Sequence, residues 1–253
     1  MIIGLGGEGG SGKDTAANIL VKNHGFVKVA FADEIKRTAA RLYPKMTREH
    51  LWGPSSKRAE PLLDYPRKHG SWVSTKDGYR CACCNIFQPG SSEKQCYLTT
   101  RFALQRLGTE GVRDCYENVW VDIVVDAAHK LLHMNGIARS LFYSYTPWDG
   151  LITTNVPDGP RPMGVAISDL RWPNGSEGEG IRAAGGQLWK MKYGDGLGGA
   201  ASTHRSESEV RAVPDAFYDV TVDNRAFTLD ELEANIAELV KIHVPDRRKK
   251  KTS

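Results

Sequence analysis

The chain has 253 residues, of which 40% are hydrophobic and 25% charged, so it holds enough apolar material for one fairly large globular domain. Its formal net charge is only +4, and much of the excess lies in a basic run at the end of the chain, which argues against a surface built to coat nucleic acid. No segment approaches the roughly 18 consecutive apolar residues of a membrane-spanning helix. These properties predict a cytoplasmic globular protein that does not bind membranes and ends in a solvated basic tail at residues 246–253.

The beginning of the chain alternates between strand and helix patterns. An apolar strand, Met1 to Gly6, leads through a glycine-rich loop to helical spacing at Thr15 to Asn23. A second strand is predicted at Phe26 to Phe31, and Asp33 is expected to cap a helix that runs to Leu42. A βαβα opening of this kind predicts an α/β fold in which helices cover both faces of a parallel sheet.

Two polar segments interrupt this alternation. Residues 44–97 are rich in Pro, Gly, Ser, Lys and Cys, which indicates an insertion, and residues 138–162 form an irregular excursion around several prolines. The pattern otherwise predicts a single domain over residues 1–245, with a glycine-rich, lid-like loop at 193–205. The remaining predicted elements are helices at Thr99 to Leu107 and Asn118 to Met134, strands at Met163 to Asp169, Gln187 to Tyr193 and Tyr218 to Val222, a charged helix ending near Ala184, and a closing helix at Leu229 to Ile242.

The loop between the first predicted strand and helix has the spacing of a Walker A motif. It reads Gly-Glu-Gly-Gly-Ser-Gly-Lys over residues 7–13, which supplies the glycine, four-residue spacer, glycine and lysine that the motif requires. Backbone N–H groups in such a loop converge on phosphate oxygens, and the lysine ammonium reaches the β- and γ-phosphates of ATP. The predicted nucleotide-binding residues are Gly7, Gly9, Gly10, Ser11, Gly12, Lys13, Asp14 and Thr15.

The residue after the lysine departs from the motif. Asp14 stands where a Ser or Thr hydroxyl usually binds Mg²⁺, and Thr15 follows it. Two alternatives are open: Asp14 binds the cation directly or through water, or Thr15 binds it through a shifted turn. We favour water-mediated binding by Asp14, because a carboxylate so near a triphosphate needs a cation between them.

A carboxylate ends the apolar strand in the middle of the chain. Asp169 is positioned like a Walker B acid, able to hold a magnesium-bound water or to orient the acceptor, with capping of the following turn as the alternative. Arg171, two residues later, is expected to project to the same side of an extended chain. Lys13, Asp169 and Arg171 are therefore predicted to be catalytic residues.

The remaining polar residues narrow the class of P-loop protein. The sequence contains no Asn-Lys-x-Asp guanine-reading motif, which argues against a GTPase. The Ser-Gly-Lys-Asp-Thr run resembles the small-molecule P-loop kinases, in particular the phage deoxynucleoside monophosphate kinases, and further short blocks resemble that family in the same order. These blocks are Phe31-Ala-Asp33 with Lys36, Gln105 to Glu110 with Arg113, Asn118 to Trp120, Asp169 to Asn174, His204 to Glu207, and Asp223-Asn224 with Leu229 to Leu232.

The resemblance implies a P-loop NTPase fold of the nucleoside monophosphate kinase type and assigns roles by position. Arg205 would close over the phosphates as a further catalytic residue, whereas the adjacent His204 is better explained as a structural histidine. The planar fork of arginine suits a phosphate dianion, so several arginines near one helix are plausible clamps, with a solvated helix face as the alternative. The residues implied to line the monophosphate acceptor are Asp33, Arg101, Gln105, Arg106, Arg113 and Trp120.

Four of the five cysteines crowd the polar insertion. Cys81 and Cys84 form a CxxC pair, Cys96 supplies a third thiolate, and His69 is a candidate fourth ligand. This set predicts a structural zinc site that would hold an otherwise polar segment together. Free thiols on a loop are the alternative.

The predicted function is ATP- and Mg²⁺-dependent phosphorylation of a deoxynucleoside 5′-monophosphate to the diphosphate, for DNA precursor synthesis. A first alternative is a P-loop kinase that phosphorylates a modified base or hydroxyl in DNA, which the extra insertions, several tryptophans and the basic tail favour. A second alternative is a non-catalytic nucleotide-binding module. The presence of Lys13, Asp169 and Arg205 argues against that module.

Overall fold

The computed structural model describes residues 1–54, 56–68, 70–89, 95–133, 162–192, 212–224 and 228–245. Nearly all of the predicted excursion at 138–162, the loop at 193–205 and the tail at 246–253 lie outside these residues. The described chain divides into two compact units, one formed by Met1–Asp33 and the residues from Asn118 onward, the other by Glu34–Glu117. The predicted insertion at 44–97 belongs to the second unit. None of the described helices has the length and apolar character needed to cross a membrane.

The described residues form strands β1 to β10 and helices α1 to α7. In chain order these are β1 (Ile2–Gly6), α1 (Lys13–His24), β2 (Phe26–Val29), α2 (Phe31–Leu42), α3 (Arg48–Trp52), β3 (Pro61–Arg67), β4 (Trp72–Thr75), β5 (Gly78–Cys81), β6 (Phe87–Pro89), β7 (Cys96–Thr99), α4 (Thr100–Gln105), α5 (Val119–His133), β8 (Gly164–Leu170), α6 (Ser176–Ala183), β9 (Gln187–Lys192), β10 (Val220–Asp223) and α7 (Leu229–His243). A π-helical segment, Arg106–Gly111, continues α4.

The first unit is built on a five-stranded sheet of order β10-β9-β1-β8-β2, in which every neighbouring pair is parallel. Strand β1 lies at the centre, with Gly4 opposite Ile167 of β8 and Leu188 of β9. Because all the strands run in the same direction, their carboxyl ends meet at one edge of the sheet. The prediction of an α/β fold with a parallel sheet is confirmed.

Two apolar clusters bury the two faces of this sheet. Ile2 of β1 and Val165 of β8 pack in one cluster with residues of α5 and α6. The next residues along each strand, Ile3 and Ala166, pack in the other cluster with residues of α1 and α7. Burial on both faces explains why these strands read as continuous apolar runs in the sequence.

The second unit has a smaller apolar core and two antiparallel sheets. Its core combines Ala39 of α2, Leu51 of α3, Leu62 of β3, Leu98 of β7 and Ala103 of α4. Strand β3 pairs with β7, and β4, β5 and β6 form a three-stranded sheet. The first part of the predicted insertion therefore packs with helices on either side of it in sequence, whereas a separate cluster of buried cysteines lies beside the β4–β6 sheet.

The start of helix α2 differs from the sequence-based expectation. The helix begins at Phe31 and not after an Asp33 cap, and β2 ends at Val29. The Asp169 carboxylate accepts hydrogen bonds from the backbone N–H groups of Phe31 (2.7 Å) and Ala32 (2.9 Å). This cap comes from a residue more than a hundred positions further along the chain, so local spacing does not reveal it.

Candidate active site

The loop between β1 and α1 has a backbone shape that depends on glycine. Gly7, Gly10 and Gly12 have φ values of 136°, 79° and 89°, at which other residues are strained. A Cβ atom at Gly7 would lie 2.4 Å from the carbonyl oxygen of Met191 on β9, so close packing also requires glycine there. Three glycines of the predicted phosphate-binding loop therefore adopt backbone conformations that favour glycine.

Gly12 also contacts a side chain that follows β10, the outermost strand of the sheet. A Cβ atom at Gly12 would lie 2.8 Å from the side-chain nitrogen Nδ2 of Asn224. Asn224 is buried directly after β10, and its backbone N–H donates to the carbonyl oxygen of Lys192 at 2.7 Å. Asn224 is therefore fixed against the loop. Sequence reasoning had assigned it no role beyond membership in one of the resembling blocks.

The Lys13 ammonium lies within the curve of the loop. Its Nζ donates to the backbone oxygens of Gly7 (2.7 Å) and Glu8 (2.6 Å), and it lies 3.4 Å from the hydroxyl of Ser11, a buried residue. Lys13 is the first residue of α1, a 12-residue helix whose Gly12 cap provides no side-chain hydrogen bond. The backbone N–H groups and dipole at such a helix start favour an anion.

The two candidate magnesium ligands lie on the first turn of α1. The Asp14 carboxylate forms an ion pair with Lys28 of β2 at 2.5 Å, and 77% of its side-chain area is exposed. Thr15 is also exposed. Both residues are therefore accessible to a hydrated cation, and the choice between them stays a prediction.

Asp169 lies at the carboxyl end of β8, where it accepts the two hydrogen bonds that cap α2. Burial raises the pKa of Asp169, and the nearby Asp33 carboxylate adds to this shift, while the hydrogen bonds from Ala32 and Phe31 and the charge of Arg171 oppose it. Two acids and one arginine of the predicted site therefore interact electrostatically at this end of the strand. The role of Asp169 as a Walker B acid stays a prediction.

A buried glutamate holds the chain that follows Asp169. Glu177 is only 1% exposed, and its carboxylate accepts hydrogen bonds from the backbone N–H groups of Arg171 (2.8 Å) and Trp172 (3.1 Å). A buried carboxylate without such partners would be costly, so this arrangement fixes the backbone at Arg171. Sequence reasoning missed Glu177 because an acid in a charged helix is usually solvated.

Tyr218 packs against the end of β1. A Cβ atom at Gly6 would lie 2.9 Å from the Tyr218 hydroxyl oxygen. The side chain is buried, and the hydroxyl has no hydrogen-bond partner among the described residues. Burial, with the charge of Asp215 adding to it, raises the pKa of Tyr218 to about 12, so the phenol stays protonated at neutral pH.

Strand register explains how these groups come together. Gly6, the last residue of β1, lies opposite Leu170 of β8 and Lys190 of β9. The glycine loop and the Asp169 to Arg171 segment therefore leave the same edge of the sheet, and Asn224 contacts that loop from the end of β10. Lys13, Asp169 and Arg171 follow the carboxyl ends of β1 and β8 at this edge of the sheet, and their catalytic role stays a prediction.

The residues implied to line the acceptor are divided between the two units. Arg101 and Gln105 lie four residues apart on α4, on one exposed face of that helix. Arg106 is exposed at the start of the π-helical segment, and Arg113 is partly buried. These four residues belong to the second unit, and their joint role as phosphate clamps stays a prediction.

The other two residues of the acceptor set belong to the first unit. Asp33 lies in the first turn of α2, where its charge acts on Asp169. Trp120 of α5 is buried, and its indole N–H has no hydrogen-bond partner in the described chain. Buried indole N–H groups usually have such a partner. Arg205 and His204 lie outside the described residues.

Four cysteines of the second unit lie together. Cys81, Cys84 and Cys96 are buried in one cluster, and Cys83 packs against it. Burial, together with the neighbouring Cys81 and Cys84 thiols, raises the pKa of Cys96 to about 12. Sequence reasoning did not include Cys83 among the ligands, and its candidate His69 lies outside the described residues.

Comparison with known proteins relates the whole chain to one viral protein. No protein-family model matches the chain. The chain is 27% identical over 242 residues to a protein of Acanthamoeba polyphaga mimivirus named "Putative deoxynucleotide monophosphate kinase". The alignment covers 95% of this chain and 96% of the relative, so the similarity extends well beyond the glycine-rich loop.

Proposed function

We propose that the protein is an ATP-dependent kinase, with a P-loop NTPase fold of the nucleoside monophosphate kinase type, that phosphorylates a deoxynucleoside 5′-monophosphate to the diphosphate. The observation that carries this proposal is the glycine loop at the end of the central strand, with the Lys13 ammonium held inside it at the start of α1. The name of the mimivirus relative supports a deoxynucleotide acceptor. A deoxynucleoside diphosphate product would serve DNA precursor synthesis. Because that relative is not from a phage, the proposal is not limited to phage enzymes.

The strand order supports a nucleotide site at this edge of the sheet. The strands β2 and β8 lie on one side of β1, and β9 and β10 lie on the other. In open α/β sheets, ligands bind outside the carboxyl ends of the strands at the point where the strand order reverses. That reversal occurs here at β1, whose loop leads to Lys13.

The loop and the first turn of α1 would hold the triphosphate of ATP. The Lys13 ammonium would exchange the backbone oxygens of Gly7 and Glu8 for oxygens of the β- and γ-phosphates. Exposed oxygen ligands suit Mg²⁺, so Asp14 through water, or Thr15, would hold it, and the ion would supply positive charge between the phosphates. Asn224 would keep the loop in place through its contact with Gly12.

Catalysis would consist of positioning and charge neutralisation. An oxygen of the acceptor monophosphate attacks the γ-phosphorus of ATP, ADP leaves, and no covalent enzyme intermediate forms. Lys13, Arg171 and Arg205 offset the negative charge of the transferred group. Glu177 fixes the backbone of Arg171, and Asp169 fixes the start of α2 beside Asp33.

The acceptor carries a phosphate dianion, which needs fixed cations. Arg101, Arg106 and Arg113 would bind its oxygens with their guanidinium groups, and Gln105 shares the exposed face of α4 with Arg101. The indole N–H of Trp120, which has no hydrogen-bond partner among the described residues, would supply a further donor to the acceptor. This division gives ATP and the acceptor different sets of residues.

The test is magnesium-dependent ADP formation from ATP with each deoxynucleoside monophosphate, each ribonucleoside monophosphate or duplex DNA as the acceptor. We expect turnover with at least one free deoxynucleotide. Lys13→Ala should lower kcat/KM roughly 100- to 1000-fold, because it removes a cation from the transferring phosphate. Lys22→Ala is the matched control, since Lys22 is an exposed lysine near the other end of the same helix.

The acceptor profile separates the competing functions. Turnover with duplex DNA alone would replace the proposal with a kinase acting on DNA. ATP binding without transfer to any acceptor would favour a non-catalytic nucleotide-binding module. Equal activity of Lys13→Ala and the parent protein would contradict the proposed site even if a kinase activity were found.

A further inference from the structure

The chain between β5 and β6 folds into a tight knuckle around Cys81 and Cys84. The N–H of Asn85 donates to the carbonyl oxygen of Cys81 at 2.8 Å, and the N–H of Cys81 donates to the carbonyl oxygen of Ile86 at 2.9 Å. Asn85 has a φ of 58°, a left-handed conformation that asparagine tolerates better than most residues. This turn places Cys84 in the same buried cluster as Cys81.

Three sulfur atoms lie close together where the knuckle contacts the start of β7, and a fourth cysteine, Cys84, is buried beside them. The Sγ atoms of Cys81 and Cys96 lie 3.5 Å apart, and those of Cys81, Cys83 and Cys96 all lie within 4.8 Å of one another. Cys84 is buried in the same cluster as Cys81 and Cys96. Tetrahedral zinc with Zn–S bonds of about 2.3 Å places its sulfur ligands about 3.8 Å apart. The Cys81, Cys83 and Cys96 sulfurs therefore lie near the spacing that one ion requires, and Cys84, buried beside them, would have to move inward to complete the set.

The surroundings of the cluster also suit thiolate ligands. The Arg67 guanidinium nitrogen Nη1 lies 3.9 Å from Cys96 Sγ. Because four thiolates around one Zn²⁺ carry net negative charge, a nearby arginine would offset part of it.

The β4–β6 sheet has little else to hold it together. Its three strands contain three or four residues each, and Val73 and Phe87 are 56% and 39% exposed. The buried cluster beside this sheet consists of cysteines, with Trp72 and Ile86 partly buried against it. Sheets this small rarely fold without a metal or disulfide staple, and these cysteines are free thiols.

The cluster is linked directly to helix α4. Cys96 begins β7, which leads without a break into α4, and the Thr99 hydroxyl caps that helix by accepting from the N–H of Phe102 at 3.2 Å. Arg67, which contacts Cys96, also stacks on the Phe102 ring at 3.8 Å, and Arg106 lies 5.2 Å from the same ring. Order at the cysteines would therefore be transmitted to the helix that carries Arg101 and Gln105.

We propose that Cys81, Cys83, Cys84 and Cys96 bind one Zn²⁺ as four thiolates, and that this ion holds the β4–β6 sheet against β7 and fixes the start of α4. Each thiol releases its proton to solvent as it binds, so zinc affinity falls with pH. Cys83 takes the fourth position that the spacing had suggested for His69. The effect on α4 bears on catalysis only if the proposed kinase function holds, whereas the zinc site itself does not depend on it.

The first test measures zinc per chain in the purified full-length protein. We expect one zinc ion per chain in the parent and in Cys115→Ser, the control at the exposed cysteine outside the cluster, and clear loss of zinc in Cys81→Ser, Cys84→Ser and Cys96→Ser. Zinc-free parent protein purified without chelators would overturn the proposal. That outcome does not depend on whether any variant folds.

The second test identifies the fourth ligand by replacing zinc with Co²⁺ and recording the visible absorption spectrum. Four thiolates give an intense sulfur-to-cobalt charge-transfer band and the pattern of a tetrahedral all-sulfur site. We expect this spectrum in the parent and in His69→Ala, and a weaker charge-transfer band in Cys83→Ser. An unchanged spectrum in Cys83→Ser together with metal loss in His69→Ala would overturn the assignment of Cys83.

The third test measures whether the ion fixes α4. Removal of the metal should raise the KM for the monophosphate acceptor roughly tenfold and leave the KM for ATP nearly unchanged, because only the acceptor set includes α4. Equal KM values with and without metal would overturn this step. If the parent protein has no kinase activity, the proposed function fails while zinc content and the cobalt spectrum still decide the site.

Discussion

The edge of the large sheet and the cysteine knuckle are held in shape by different means. At the sheet edge, the glycine loop continues from a central strand whose two faces are buried by apolar side chains. At the knuckle, short exposed strands surround a cluster of buried thiols. Apolar packing can fix the first region before any ligand binds, whereas the proposed metal site makes the stability of the second region depend on a bound ion. The comparison predicts that the two regions respond differently to the same treatments.

The largest expected difference follows metal removal. After chelation, the amide protons of β5 and β7 should exchange with solvent at least about 100-fold faster, because the proposed staple no longer holds them. The backbone N–H of Cys81, which donates to Ile86, is a suitable reporter. Amides of β1 and β8 are the internal control and should keep their protection. Hydrogen exchange with mass spectrometry checks both regions in one sample. Unchanged exchange at β5 would show that the knuckle does not need a bound ion to stay ordered.

The next largest effect tests how rigidly the sheet edge is packed. Gly12→Ala combines a φ of 89° with a Cβ atom 2.8 Å from Asn224, so we expect a loss of about 2–3 kcal/mol in unfolding free energy and weaker ATP binding. Gly185→Ala is the matched control, because Gly185 has a φ of 70° but nothing within 4 Å of the added atom.

Chemical denaturation of the two alanine variants separates backbone strain from the contact with Asn224. The control should lose only about 1–2 kcal/mol, the usual cost of a left-handed alanine. Adding Asn224→Ala to Gly12→Ala should recover part of the difference. Equal losses in the two glycine variants would show that the loop yields to the added atom and that Asn224 does not constrain it.

Sequence reasoning worked best where one short pattern determines the structure. Alternation of apolar strands and helices predicted the parallel sheet, and the glycine spacing predicted where the loop turns. It failed for groups whose partners are far away in sequence. The cap that Asp169 provides to α2 and the contact of Asn224 with Gly12 both arise only when β8 and β10 join the sheet.

The second unit shows the same limit in another form. Spacing indicated Cys81, Cys84 and Cys96 as ligands, but it gave no reason to include Cys83, whose sulfur reaches the cluster through the turn of the knuckle. Met46 belongs to the core of this unit although no periodicity surrounds it. Glu177 in the first unit was missed for a related reason, since its burial depends on backbone groups of the preceding loop.

The smallest expected effect concerns two carboxylates that cap helices in different environments. Asp169 caps α2 from a partly buried position, and desolvation raises its pKa. Glu231 caps α7 at an exposed position, and hydrogen bonds from Thr228 lower its pKa. A raised folded-state pKa means that the native protein holds its proton more tightly than the unfolded chain, so this contribution to stability is present at low pH and is lost as the pH rises. A lowered folded-state pKa gives the opposite trend.

Asp169→Asn and Glu231→Gln should therefore differ in sign when unfolding free energies are measured in urea between pH 3.5 and 7. The unfolding free energy of Asp169→Asn should rise relative to that of the parent as the pH rises from the ordinary aspartate pKa of 3.8 through the raised pKa of Asp169. The reason is that the variant avoids the cost of burying a charge. The unfolding free energy of Glu231→Gln should lie furthest below that of the parent above the ordinary glutamate pKa of 4.5. The difference should shrink as the pH falls. If both variants showed the same trend, the Asp169 carboxylate would be as well solvated as an exposed cap. The sheet edge would then be too loosely packed to keep its shape without a ligand.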